Sequence, residues 1–139
     1  MLGIAAKNAP SAIFIQIEMK SLDQIKERFD AIWSSFSFLH INQSDAAEIL
    51  LKFKTVLNGK GLIYICIRTQ EKTEWHKTKI CELDAVKENY LETYIQEWNK
   101  EVFITLIKES GLTPERVEKC RLAKKDLPQE ETRLIVVES

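Results

Sequence analysis

Histidine and cysteine, which most often build zinc sites and nucleophilic centres, are scarce in this sequence. Its 139 residues include two histidines and three cysteines. Neither type is paired at the spacing of zinc ligands, and three widely separated cysteines argue against a disulfide framework. The sequence therefore predicts no metal centre, no bound cofactor and thiols that stay reduced.

Glycine and long apolar runs are scarce as well. The four glycines form neither a phosphate-binding loop nor a dinucleotide-binding fingerprint, and no Gly-x-Ser-x-Gly elbow for a nucleophilic serine occurs. No apolar run reaches the roughly 18 residues of a membrane span, and the first residues do not resemble a secretory signal. These absences predict a cytoplasmic protein with no membrane partner.

The charge balance points to no polyanionic partner. Twenty basic and 21 acidic residues leave a net charge of −1, so nucleic-acid binding would need a local basic patch. The length and the hydrophobic share of 45% are typical of one globular domain. We expect a single domain over residues 1–139, with residues 1–10 as a lead-in and residues 111–139 as a C-terminal helix and closing strand.

The N-terminal part of the chain alternates strand-like and helix-like patterns. Residues 12–17 are apolar and β-branched, which predicts a buried strand. Apolar residues at helical spacing then predict an amphipathic helix over about 21–36, with Ser21 as its N-cap. Residues 38–42 are a candidate second strand.

A second helix is predicted after the N-cap candidates Ser44 and Asp45. Asn58-Gly59 would give this helix a left-handed exit. Residues 62–67 then form the most strand-like run in the chain. The expected apolar stripe of the helix consists of Ala46, Ile49, Leu50, Phe53, Val56 and Leu57.

The alternating pattern over residues 75–83 predicts a strand that forms an antiparallel hairpin with residues 62–67. From Asp84 a helical pattern runs to about Ser110. Within it, residues 102–107 are apolar nearly all round, which fits either a buried helix end or a separate strand. Of the two, the helix is preferred because no breaker interrupts the stretch.

The last elements are separated by helix-stop and helix-start residues. Gly111 ends the long helix, and Thr113 with Pro114 would begin another that runs to about Lys125. Residues 133–137 read as a closing strand.

The predicted order is β-α-β-α-β-β-α-α-β. This order indicates an α/β fold of three layers, with a mixed, mainly parallel sheet of about five strands and helices on both faces. Its first seven elements, over about residues 12–110, resemble a thioredoxin-like topology. The Cys-x-x-Cys pair of that family is absent, and Gly59-Lys60-Gly61 replaces its usual proline, so such a domain would be redox-inert.

Two basic segments are candidate binding surfaces. The hairpin segment interleaves basic residues with an aromatic, as nucleic-acid-binding surfaces do, although acidic neighbours dilute its charge and a solvated edge strand has the same composition. Its candidate binding residues are Arg68, Lys72, Trp75, His76, Lys77 and Lys79.

Residues 103–121 resemble a helix-turn-helix with Gly111 in the turn. Its second helix would present Arg116, Lys119 and Arg121 to DNA. Ile107 departs from the pattern because a small residue normally stands where the two helices cross.

A ligand pocket is also conceivable at the strand ends. Glu18 ends the first predicted strand and Asn42 ends the second, and open α/β sheets bind ligands at the carboxyl ends of their strands. These two residues are the pocket candidates.

Because no catalytic constellation emerges, the first hypothesis is a small, non-enzymatic binding or regulatory module that acts through protein–protein contacts. The alternatives are nucleic-acid binding, through residues 103–121 or the basic hairpin, and an enzyme with its site near Glu18. A protein partner is expected, and a homo-oligomer could form through residues 102–107 and the third helix.

Overall fold

A mixed four-stranded sheet is the centre of the molecule. The computed structural model describes residues 2–81, 90–121 and 130–138. The strand order of this main sheet is β1-β2-β6-β5, and β3 and β4 form a separate two-stranded sheet. The strands are β1 (Phe29–Ser35), β2 (Leu57–Thr69), β3 (Glu74–Cys81), β4 (Tyr90–Glu97), β5 (Leu112–Arg121) and β6 (Glu130–Glu138).

Three α-helices and two 3₁₀ turns are found among the described residues. The helices are α1 (Leu2–Asn8), α2 (Gln43–Val56) and α3 (Lys100–Glu109). The first 3₁₀ turn spans Met19–Gln24 and the second spans Ser37–His40. Helix α1 contains no buried residue, so the folded core is built by the chain that follows it.

Strands β1 and β2 are parallel, and α2 connects them. The N-cap of α2 is Asn42, whose side chain accepts a hydrogen bond from the Asp45 backbone N–H at 3.0 Å, because the first turn of a helix leaves its N–H groups unpaired. The apolar stripe expected from the sequence is confirmed, since every member of it is buried. Leu57, its last member, is the first residue of β2 rather than part of the helix.

Strand β6 lies antiparallel between β2 and β5. Ile65 is opposite Leu134 and Ile63 is opposite Val136, and all four side chains are fully buried. Opposite residues in a ladder share one face of the sheet, so these four form the floor on which α2 and α3 pack.

Aromatic rings fill the space between this floor and the helices. Phe103 of α3 makes edge-to-face contacts with Phe38 at 5.3 Å and with Trp98 at 4.9 Å. The indole N–H of Trp98 donates to the Phe38 carbonyl oxygen at 3.1 Å. The three side chains are fully buried, so the one polar atom among these rings is paired, as burial requires.

The two-stranded sheet is attached to the carboxyl end of β2. Thr69 forms a parallel bridge with Trp98, and the Gln70 N–H donates to the Trp98 carbonyl at 2.9 Å. Thr69 Oγ1 also lies 2.9 Å from Thr132 Oγ1 in the core. The Thr69–Trp98 bridge and the Gln70 hydrogen bond hold the hairpin of β3 and β4 at one end of the main sheet.

The α/β class, with a mixed sheet and helices, is confirmed, but the order of elements differs from the prediction. In the described sheet one strand pair is parallel and two are antiparallel. Because the strand β1 replaces a predicted helix, the sequence of elements on which the thioredoxin-like topology rested does not occur.

Residues 12–17 do not form a strand. They have no ladder partner among the described residues, and Ile13 is 89% exposed. β-branched residues form a strand only where a neighbouring strand can pair with them.

The helix predicted over 21–36 and the strand predicted over 38–42 are also wrong. Residues 29–35 are β1, and Phe38 is buried within the second 3₁₀ turn. The apolar residues of 21–36 fit both the period of a helix and that of a strand. Pairing with β2 makes residues 29–35 a strand.

The predicted hairpin partners and the long helix are likewise corrected. Strand β2 pairs with β1 and β6, whereas β3 pairs with β4. Asn58-Gly59 lies within β2 and is not a helix exit. Residues 90–97, placed in the helix by the sequence pattern, are β4, and residues 82–89 lie outside the described part. Residues 102–107 do form a helix, as preferred.

The helix-turn-helix does not exist, because residues 112–121 form β5. Gly111 does end α3 with a φ of 71°, as expected, but the chain then enters the sheet beside β6. The closing strand is confirmed as β6. In the described residues no helix is both long and apolar enough to cross a bilayer.

Candidate functional site at the carboxyl ends of β1 and β2

The main sheet has one covered face and one open face. On β2, Ile63 and Ile65 lie beneath the helices and are fully buried, whereas the intervening side chains point to the other face, where Leu62 is 47% exposed. On β1, Trp33 shares that second face and is 73% exposed. We call this second surface the open face.

An aromatic stack lies on the open face. Trp33 and Tyr64 are opposite each other in the parallel ladder, and their rings are nearly parallel with centroids 3.9 Å apart. The next pair of that parity toward the carboxyl ends is Ser35 with Cys66, and Arg68 follows on β2. The surface beside the carboxyl ends therefore combines aromatic, hydroxyl and cationic groups.

The backbone turns sharply as it leaves β1. Phe36 has a φ of 56° and lies in the left-handed region, which is costly for a side chain larger than glycine. Its N–H donates to the Cys66 carbonyl at 2.8 Å. This bond and the burial of Phe38 hold the turn, which places Ser35 and Ser37 on either side of Phe36 at the strand end.

Arg68 carries a buried donor with no acceptor among the described residues. Its side chain is half-buried, and Nε has no hydrogen-bond partner there. A guanidinium is charged at any ordinary pH, and leaving one of its donors unpaired is costly. The group therefore places a positive charge with an unsatisfied donor at the carboxyl end of β2.

An apolar slot runs along the free edge of β1. It has a volume of about 330 Å³ and is lined by Met19, Leu22, Ile25, Phe29, Ala31, Ile32, Trp33, Ser34, Ser37, Phe53 and Val56. Ser34 is only 3% exposed, and its Oγ has no hydrogen-bond partner in the part of the chain that is described. None of the described residues that line the slot is charged, so it suits an apolar occupant that can bond one hydroxyl.

The basic hairpin residues predicted from the sequence to bind a partner are dispersed rather than convergent. Lys72 is exposed in the turn before β3, and Lys77 forms an ion pair with Glu92. Trp75 stacks on Tyr94 with centroids 5.6 Å apart. His76 is half-buried with Nδ1 unpaired among the described residues, and Lys79 is on β3.

The basic residues of the supposed recognition helix lie along a strand instead. Arg116 is exposed and forms an ion pair with Glu118. Lys119 and Arg121 have the opposite parity on β5, so the three side chains do not share one face. The structure does not bring them together.

The pocket candidates Glu18 and Asn42 also do not converge. Glu18 is exposed and precedes the first 3₁₀ turn, not the end of a strand. The Asn42 side-chain oxygen is occupied, since it accepts from the Asp45 N–H and from Ser44 Oγ at 2.6 Å. Among the described residues, no three histidine, cysteine, aspartate or glutamate side chains cluster as metal ligands do.

Two exposed ion pairs fasten the first 3₁₀ turn to α2. Lys20 Nζ lies 2.7 Å from Asp45 Oδ1, and Lys52 Nζ lies 2.8 Å from Asp23 Oδ1. The hydrogen bond with Asp45 raises the pKa of Lys20, and the hydrogen bond with Lys52 lowers the pKa of Asp23. Both shifts stabilise the charged forms, so the turn is held best at intermediate pH.

Arg68 is the one member of the structural site that the sequence had marked as a binding residue. Ser35 and Phe36 were missed because residues 21–36 had a helical interpretation, and Ser37 lay between that helix and the strand predicted over 38–42. The sequence Trp33-Ser34-Ser35-Phe36 offered one signal against a helix interior, since neighbouring serines disfavour it.

Comparisons with known proteins match the fold and not the sequence. No protein-family model and no curated protein matches this chain. A solved S-adenosylmethionine-dependent methyltransferase from Clostridium acetobutylicum superposes with a TM-score of 0.74 and 15% identity, over 99% of this chain and 71% of that one. The glycopeptide N-methyltransferase MtfA gives 0.73 and 13%, over 99% and 69%.

A third similar structure is the 1,6-didemethyltoxoflavin-N1-methyltransferase of Burkholderia thailandensis, solved with bound 1,6-didemethyltoxoflavin and S-adenosylhomocysteine. Its TM-score is 0.69 at 13% identity, over 99% of this chain and 56% of that one. At such identities the likeness establishes the fold.

The same likeness corrects the functional hypothesis drawn from the sequence. The solved structures that share this fold are methyltransferases, so the hypothesis of a non-enzymatic module acting through protein contacts is contradicted. The nucleic-acid alternative is contradicted as well. The similar structures are methyltransferases, and the second helix of the predicted helix-turn-helix is the strand β5. The enzyme site near Glu18 loses its premise because no strand ends there. Oligomerisation through residues 102–107 stays a prediction.

Proposed function

We propose that this chain takes part in methyl transfer from S-adenosylmethionine to an acceptor molecule, with the cofactor at the carboxyl ends of β1 and β2. The observation that carries the proposal is the likeness of nearly the whole chain to methyltransferases. MtfA, solved with S-adenosylmethionine, superposes over 99% of this chain with a TM-score of 0.72.

The described residues fit part of this cofactor. Its methionyl carboxylate needs a cation or several N–H donors, and Arg68 supplies a guanidinium with an unpaired buried Nε. Arginine binds carboxylates with two parallel hydrogen bonds. The hydroxyls of Ser35 and Ser37, on either side of the left-handed Phe36, suit the ribose hydroxyls, which both donate and accept.

When bound, S-adenosylmethionine supplies an electrophilic methyl group on a sulfonium, which passes to a nucleophilic atom of the acceptor and leaves S-adenosylhomocysteine. The part of this chain is to bind and orient. Arg68 would fix the carboxylate, and the strained turn at Phe36 would set the position of the two serine hydroxyls. Fixed geometry is itself catalytic, because it removes the entropy cost of bringing two reactants together.

The hairpin of β3 and β4 is the surface best placed to meet an acceptor. It is attached where β2 ends, through the bridge between Thr69 and Trp98, and it carries the stacked pair Trp75 and Tyr94. An aromatic stack offers apolar area at low entropic cost, which favours a planar acceptor.

Calorimetric titration with S-adenosylhomocysteine tests the proposal. We expect saturable binding that weakens at least about tenfold in Arg68→Gln, because a hydrogen bond to a charged group is worth roughly 1.5–3 kcal/mol. Arg116→Gln is the matched control, since Arg116 is exposed on β5 and pairs with Glu118. A folded protein that does not bind the probe, or an Arg68→Gln variant that binds it normally, would overturn the assignment.

A further inference from the structure

Strand β1 is an edge of the main sheet, and its free side is not sealed. The described chain places no strand beside it, and the apolar slot of about 330 Å³ follows it. Sheet edges of this kind are templates for another strand. Proteins usually protect them with charge or proline. On β1 the only charged residue is Asp30, which accepts a hydrogen bond from Asn58, whereas Phe29 and Trp33 are 42% and 73% exposed.

A segment suited to such an edge lies in the same chain without a partner strand. Residues 12–17 read Ala-Ile-Phe-Ile-Gln-Ile, a composition that favours strands. Ile13, Phe14 and Ile15 are 89%, 37% and 53% exposed. Among the described residues, therefore, β1 has no neighbour on its free side and residues 12–17 have no strand to pair with.

We propose that residues 12–17 of a second copy of this chain add to the free edge of β1, and that the exchange is reciprocal in a two-fold dimer. The inference goes beyond methyl transfer and does not rest on it.

Side-chain parity supports an antiparallel register that places Phe14 opposite Trp33. Opposite residues share a face, so Ile15 then lies by Ile32 and Ile13 by Ser34, both on the side of the apolar slot. Phe14 lies by the exposed Trp33 on the open face.

Charge and area agree with this register. Antiparallel docking brings Glu18 to the end of β1 at which Arg28 lies. Each copy contributes Ile13, Phe14, Ile15, Phe29 and Trp33. If each of these ten side chains buries on the order of 100 Å², the two copies together bury on the order of 1,000 Å². That area is the lower bound for a specific interface.

The segment of the same copy cannot dock in this way. The first 3₁₀ turn is fastened to the beginning of α2 by the ion pair between Lys20 and Asp45. That end of the helix follows the carboxyl end of β1, because α2 is the crossover between two parallel strands. Antiparallel docking would need Glu18 at the opposite end of β1, so the added strand must come from another molecule.

Sedimentation velocity over about 1–200 µM protein tests the dimer, a range that covers ordinary homodimer affinities. We expect a monomer–dimer equilibrium that Ile15→Lys weakens at least about tenfold, since a buried isoleucine is replaced by a charge. Ile4→Lys is the control, because Ile4 is 68% exposed on α1. A monomer throughout, or a dimer that Ile15→Lys leaves unchanged, overturns the proposal.

Cysteine cross-linking tests the register and the source of the strand. A mixture of Phe14→Cys and Trp33→Cys proteins should form a disulfide-linked dimer, because directly opposite residues in an antiparallel pair are close enough to bridge. A mixture of Ile13→Cys and Trp33→Cys should give only background, since these side chains point to opposite faces. Equal cross-linking in both mixtures contradicts the register. A protein that carries both Phe14→Cys and Trp33→Cys and bridges only within its own chain contradicts the exchange.

Discussion

The two faces of the main sheet are made by alternate residues of the same strands, yet one face is complete and the other is not. Beneath α2 and α3, Ile63, Ile65, Leu134 and Val136 are fully buried. On the open face Trp33 and Leu62 remain largely exposed. The covered face accounts for the stability of the fold, whereas the open face and the free edge of β1 carry the unpaired groups that point to binding.

The largest expected difference between the faces comes from adjacent positions on β2. Ile63→Ala should lower the free energy of unfolding by about 2–5 kcal/mol, because it leaves a cavity in the covered core. Leu62→Ala should change it by no more than about 0.5 kcal/mol, as at other exposed sites. Urea denaturation of both variants at low protein concentration measures the two values, and similar losses would mean that the open face is also packed.

A smaller effect on stability is expected from the N-cap of α3, one of the two helices that cover the sheet. Asn99 caps α3 by accepting from the Glu101 and Val102 N–H groups, and its amide donates to the Glu71 carbonyl at 2.8 Å. Asn99→Ala should therefore cost about 1 kcal/mol.

Asn99→Asp is the matched variant, because a carboxylate still caps the helix but cannot donate to Glu71. A loss on the order of 0.5 kcal/mol is expected for the missing hydrogen bond. If both variants unfold at the urea concentration of the unmodified protein, the cap does not contribute to holding the cover in place.

The smallest effect concerns the first 3₁₀ turn, at the rim of the slot. Because the pKa of Asp23 is lowered, Asp23 stabilises the turn at pH values above its ordinary pKa of 3.8. This stabilisation is lost as the pH falls through the lower pKa of the folded protein. Because the pKa of Lys20 is raised, Lys20 stabilises the turn at pH values below its ordinary pKa of 10.5. This stabilisation is lost as the pH rises through the higher pKa of the folded protein. Proteolysis within residues 19–24 should accelerate at both extremes.

Asp23→Asn should weaken the acidic part of this profile, because the Lys20–Asp45 pair still depends on a carboxylate, and should leave the alkaline part unchanged. Lys100→Gln serves as the control, since Lys100 pairs with Glu101 inside α3 at 3.1 Å. Both ion pairs at the turn are exposed, so proteolysis of the core beneath the covered face should not depend on pH in the same way.

The sequence located the candidate site poorly, for a reason visible in particular residues. Arg68 was found because its charge is notable beside an apolar run. Ser35 and Phe36 were missed because their position at a strand end depends on the pairing of β1 with β2. The stripe of α2, by contrast, was identified in full, since a helix is formed by contacts within four residues.

By itself the sequence determined the α/β class, the strands β2 and β6, the helix α2 with its buried stripe, and the stop at Gly111. Each of these follows from local periodicity or from the conformational freedom of one residue. Only the tertiary structure decided that residues 29–35 and 112–121 are strands and that residues 12–17 lack a ladder. Short apolar runs satisfy both helical and strand periods, so the outcome depends on whether a distant strand lies beside them to complete the hydrogen bonds.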